Sequence, residues 1–173
     1  ALKELRLIQE VLLYAEPQAI LEWELTSDYA TAQMAKDRTG KSQCVPGFRF
    51  HFLRHFCNLT PHPSVALTTA SDNPKVLVTA FVSEDTTRGT PPATALSLHI
   101  ANLGSARPAL LAGLPLELDS LRVVLSSETA GYRRLDPVPV ERGQAQLELP
   151  AQALVEGLPV DGSAVRVDRS DAL

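Results

Sequence analysis

The chain changes its pattern once, near Pro61, and that change restricts the folds open to it more than any other feature. Before it, helix and strand alternate. Leu2, Leu5, Ile8, Leu12 and Leu13 recur at helical spacing, so residues 2–14 are expected to form an amphipathic helix. Pro17 lies just beyond, where a helix cannot continue. Residues 19–25 suit a buried strand, although Glu22 and Glu24 interrupt its apolar run. Thr26-Ser27-Asp28 is turn chemistry. Residues 36–47 are polar, marked by Gly and Pro, and expected to be loop. Phe50, Leu53, Phe56 and Leu59 form a second helical stripe, closed by Pro61 and Pro63. Helix, strand, loop, helix is the rhythm of α/β architecture.

After Pro61 the sequence breaks into short strands. Residues 65–69, 75–82, 95–101, 121–127, 145–149 and 153–158 are the expected members. Turn material separates them: Asp72-Asn73-Pro74, residues 87–92, Asn102-Leu103-Gly104 and Arg142-Gly143. Period-two geometry puts Val76, Val78 and Ala80 on one face of a strand and Leu77, Thr79 and Phe81 on the other. Residues 95–101 alternate apolar and polar, as a strand with one wet face does. The whole stretch is expected to be an antiparallel sandwich or barrel, followed by a polar, loose tail over residues 161–173.

Length and charge set outer bounds. A chain of 173 residues holds one modest domain, or a small domain and a piece of another. A net charge of -4 gives no basic footprint for nucleic acid. No apolar run approaches the roughly 20 residues that span a bilayer. The chain opens directly in a helical pattern, without Met, basic n-region or signal core, as a processed or truncated chain would.

Residues 50–61, Phe-His-Phe-Leu-Arg-His-Phe-Cys-Asn-Leu-Thr-Pro, resemble the helix that closes the catalytic barrel of glycoside hydrolase family 30, where a His-Phe pair runs to a Pro and then a strand. Residues from Val65 fit that strand, and residues 75–82 its hairpin partner. Trp23-Glu24-Leu25 resembles the end of the eighth barrel strand, with Glu24 where the family usually has an amide and Arg54 where it often has Gly. The resemblance spans about half the chain. It implies a mainly β fold: an antiparallel β-sandwich preceded by a helix–strand–helix remnant of a (β/α)8 barrel. Residues 1–62 would end the catalytic barrel, 63–158 form the sandwich and 159–173 the tail. It further implies a retaining O-glycoside hydrolase as parent, with two carboxylates about 5–5.5 Å apart. Those sit on barrel strands upstream of this chain, so no catalytic residue is expected here. The sandwich would be a structural companion of the barrel.

Trp23 would then lie at the floor of the sugar pocket, or else pack between barrel and helix. Glu24, Asp28 and Tyr29 follow at the strand's C-terminal end, the face where such barrels hold substrate. Glu22 and Glu24 share one strand face, which suits a solvated or paired rim better than two catalytic roles on opposite sides of a sugar. His51 and His55 are four apart on a helix but lack the Glu and third ligand of a zinc motif, so no metal and no cofactor is expected. A helix surface or a packed seam suits them better, and His99 falls on the polar face of its strand. Cys44 and Cys57 would close a loop if paired, but two cysteines make no disulfide framework. Asn58-Leu59-Thr60 is a glycosylation sequon inside an expected helix.

The expected partner is a carbohydrate substrate, met through the parent enzyme. No nucleic acid and no membrane span are expected; self-association through exposed barrel-facing surfaces is. The parent would be secreted or periplasmic, and the Ala/Leu/Arg-rich composition suggests a bacterial source. The alternative is a non-catalytic carbohydrate-binding or immunoglobulin-like sandwich module, which leaves the first sixty residues without a role.

Overall fold

The computed structural model describes residues 1–15, 31–60, 63–85 and 93–159. Two helices, α1 (Leu2–Tyr14) and α2 (Phe48–Leu59), precede most of the strands. Between them lies a hairpin, β1 (Ala32–Lys36) and β2 (Ser42–Pro46). Then come β3 (Val65–Leu67), β4 (Val76–Asp85), β5 (Ala93–Asn102), β6 (Arg107–Ala112) and β7 (Ser120–Ser127). The chain continues through β8 (Arg133–Arg134), β9 (Val138–Pro139), β10 (Gln144–Leu149) and β11 (Ala153–Pro159).

One large antiparallel sheet runs β3-β4-β5-β11-β7-β8, with β9 also pairing β7. A small sheet, β10-β6, faces it. The core between them is built from Val76, Ala80, Leu98, Ile100, Leu121, Leu147, Leu149 and Val155, with Val78 at its margin. Helices α1 and α2 cover the other face of the large sheet. There Leu5, Ile8 and Phe52 meet Ala101 and Leu154, flanked by Leu77 and Phe56. The split expected along β4 holds: Val76, Val78 and Ala80 enter one core, Leu77 the other.

Three local expectations need correction. Residues 36–47 are not a plain loop but the turn and second strand of the β1–β2 hairpin. Both strands lie largely at the surface, so no apolar alternation marks them. Asp37 makes the turn by accepting hydrogen bonds from the Thr39 and Lys41 amides at 2.8 and 3.0 Å. The apolar stripe of α2 is rotated: Arg49, Phe52 and His55 are buried, whereas Phe50 is exposed. Finally, β5 has no wet face from Leu96 onward. Leu96 through Asn102 are all buried, because the helices cover the side that its polar residues occupy.

The Arg142–Gly143 turn into β10 has positive φ at both residues, 52° and 73°, as a tight hairpin of the primed type requires. A Cβ on Gly143 would also stand 2.6 Å from the Leu114 carbonyl oxygen. Gly143→Ala is therefore expected to cost about 1–3 kcal/mol, read as a lower urea midpoint. An unchanged midpoint would mean that the turn adopts another geometry.

Candidate functional site

Two features stand out among the described residues: a buried polar cluster under α2 and an open groove between the sheets. The cluster arises from strand register. Thr79, His99, Glu156 and Val124 face one another across β4, β5, β11 and β7. Alternation puts Ser97 beside His99 and Ser126 beside Val124 on the same, helix-covered face. Helix α2 adds His55 one turn after Phe52. His55, His99, Ser97, Ser126 and Glu156 are all 0% exposed.

His55 Nδ1 lies 2.9 Å from Glu156 Oε2, and its Nε2 lies 2.8 Å from Ser126 Oγ. The Ser97 hydroxyl donates to Glu156 Oε1 at 3.2 Å. His99 Nε2 is 2.9 Å from both Ser97 Oγ and Thr60 Oγ1. His99 Nδ1 has no hydrogen-bond partner, and Glu156 Oε2 is 3.6 Å from it. Phe56 stacks on the His99 ring, with centroids 4.7 Å apart. Burial pushes His55 and His99 down to about 3, helped at His55 by His51 and Arg54 and at His99 by His55. Burial pushes the Glu156 carboxyl up to about 9, against the opposing pull of Ser97 and Arg122.

Ser126, His55 and Glu156 stand in the order of a serine-hydrolase relay. Their surroundings do not serve one. Ser126 Oγ already accepts the Tyr132 amide at 3.0 Å, and the Tyr132 ring lies 5.0 Å from that of His55, with Arg54 over its outer face. Ser126 is also fully buried, and its hydrogen bond with His55 belongs to a seam between α2 and the sheet. Sequence reasoning placed His55 at a helix surface or seam, and it is in the seam; His99 is buried rather than on a polar surface. Glu156 was missed, and a carboxylate inside the run Ala-Leu-Val-Glu-Gly-Leu was the available signal.

The groove, of about 790 Å³, opens between the sheets and is lined by Leu67, Val78, Leu98, Ala109 and Leu111. Beside it β6 pairs with β10 on one side and, among the described residues, with no strand on the other. Trp23, Glu24, Asp28 and Tyr29, like Glu22, lie outside the described residues. Cys44 and Cys57 are both free and exposed. Among the described residues no group of three His, Cys, Asp or Glu side chains is placed to hold a metal, and no helix is long and apolar enough to cross a membrane.

No family model matches the sequence, and no curated protein matches it. The fold does have counterparts. It superposes on a GH30 endoxylanase from Clostridium papyrosolvens C71 with a TM-score of 0.73 at 16% identity, over 91% of this chain and 37% of that one. The fold is that of a segment of a GH30 xylanase. A glycoside hydrolase family 30 subfamily 8 xylanase from Clostridium acetobutylicum gives 0.72 at 14% identity, over 91% of this chain and 38% of that one. The catalytic domain of GH30 xylanase C from Talaromyces cellulolyticus gives 0.69 at 14%, over 92% and 34%. The chain thus spans little more than a third of these GH30 xylanases, and at such identities the likeness is one of fold. It bears out the antiparallel sandwich expected from sequence.

Proposed function

We propose that the chain is the C-terminal portion of a retaining, carbohydrate-cleaving glycoside hydrolase, secreted or periplasmic and of bacterial origin. Residues 1–62 would be the end of its (β/α)8 barrel, 63–158 a sandwich that braces it and 159–173 a tail. The observation that carries this reading is the lopsided superposition, which takes in 91% of this chain but 37% of the endoxylanase. Two structural features support it. Both helices lie on one face of the large sheet, as a seam between barrel and sandwich would require. Among the described residues the small sheet has two strands and an open groove beside β6, a place for strands from earlier in the parent.

The parent's substrate would be a polysaccharide of the xylan type, in line with the names of the structural counterparts. Trp23, Glu24, Asp28 and Tyr29 would stand at the rim or floor of its pocket, and the catalytic carboxylates would lie upstream. Pure 173-residue protein is expected to show no turnover of aryl β-xylosides or xylan. Turnover abolished by Glu22→Gln or Glu24→Gln would overturn the placement of the catalytic pair. The coding sequence upstream of Ala1 gives the complementary test. An Asn-Glu pair after one strand and a Glu after a later one supports the reading, and an upstream region without alternating strands and helices sinks it.

A further inference from the structure

We propose that the seam between α2 and the large sheet is a proton-counting latch: one proton shared among His55, Glu156 and His99 holds it closed, and losing that proton or gaining a second loosens α2 ahead of the two-sheet core. The geometry is a convergence. Glu156 Oε2 faces His55 Nδ1 at 2.9 Å and His99 Nδ1 at 3.6 Å, and all three side chains are 0% exposed. With one proton among them the cluster is neutral overall, whether the acid is protonated or a carboxylate faces one imidazolium. With none, a carboxylate is buried against neutral rings. With two, an imidazolium is buried beside a neutral acid. Either costs heavily away from water.

The surroundings do not cancel these charges. From α2, His51 and Arg54 oppose protonation of His55. From β7, Arg122 favours the Glu156 carboxylate, yet burial outweighs it. Tyr132, between β7 and β8, is itself pushed up by burial and by Glu156, against Arg54, Arg134 and Arg122. Helix α1 presents the neutral Gln9, whose amide reaches the His99 carbonyl at 3.4 Å, while its Glu4 is paired with Arg49 at 2.6 Å. β4 presents Thr79 and Phe81, which carry no charge.

Lifting α2 is the way water would enter, because this segment supplies His55, Phe56 over His99 and Thr60 at His99 Nε2. Once wetted, Glu156 would ionise near its ordinary 4.5 and the histidines near 6.5. Above pH 6.5 the open state holds no proton and the closed state one, so closure weakens as pH rises toward about 9. Below pH 6.5 the open state holds two or more, so closure weakens again as pH falls. The latch is therefore tightest near pH 6.5.

Native-state hydrogen exchange on the 173-residue chain tests this. Amides of α2 are expected to exchange through an opening of lower free energy than those of β5 and β11. Above pH 6.5 their protection factors should fall roughly tenfold per pH unit. Glu156→Gln should flatten that limb. Protection of α2 that is independent of pH, or equal to that of the strands at every pH, overturns the proposal, as does an unchanged slope in the Gln variant. Should that variant fail to fold, imidazole nitrogen shifts of the unaltered protein decide. Neither His55 nor His99 should titrate between about pH 5.5 and 8, and a midpoint near 6.5 at either would refute the latch.

Discussion

Replacing His55 by Leu is expected to destabilise the chain by about 3–5 kcal/mol, whereas replacing His55 and Glu156 together by Leu should recover most of that loss. The single change leaves the Glu156 Oε2 atom without its 2.9 Å partner and Ser126 Oγ without its 2.8 Å partner, both in a fully buried place. The double change removes donor and acceptor together and fills similar volume with apolar atoms, which is often close to neutral. Urea midpoints of the two single variants and the double variant complete the cycle. Equal losses in the single and double variants would mean that His55 and Glu156 contribute through shape alone, and the polar seam would lose its energetic role.

Phe52→Ala should be comparably severe, about 3–5 kcal/mol. Phe52 is fully buried, sits edge-on to Phe48 with ring centroids 5.8 Å apart, and joins α2 to Leu5 and Ile8 of α1 and to Leu154 of β11. The measurement discriminates between two states of the first sixty residues. If the helices are docked as described, thermal melting of the Ala variant shifts down by many degrees. If they fold only against a missing partner, the variant melts with the parent chain, because its cavity would open in a segment already loose.

The sequence showed the large periodic elements well, and for a physical reason. Helix α1 buries one stripe, and β4 divides its side chains between two cores, so each carries a period that can be counted. The hairpin β1–β2 was hidden because it buries little, and a strand without a buried face has no alternation. The strand β6 was missed over residues 107–112, where Pro108 breaks the expected strand pattern and an edge position tolerates it. The polar cluster was the least legible of all. Glu156, His99 and His55 are distant in sequence, and only the register of β5 and β11 and the rotation of α2 bring them together. A single histidine on a strand gives no sign that a helix will later cover it.

The order of strands also dictates when the molecule can become whole. β11, the last strand among the described residues, lies at the centre of the large sheet, hydrogen-bonded to β5 on one side and β7 on the other. Until residues 153–159 are in place, the sheet is two ribbons, β3-β4-β5 and β7-β8-β9, each ending in an unsatisfied row of amides and carbonyls. During synthesis those edges stay open until residues 153–159 have left the ribosome, and a product stopped at Pro150 never closes them. Insertion of a strand between two that both precede it by more than twenty residues is intrinsically slow and exposes aggregation-prone edges while it waits. Closure of the large sheet therefore waits on residues 153–159, and a product that stops short of them leaves the facing edges of β5 and β7 without a partner.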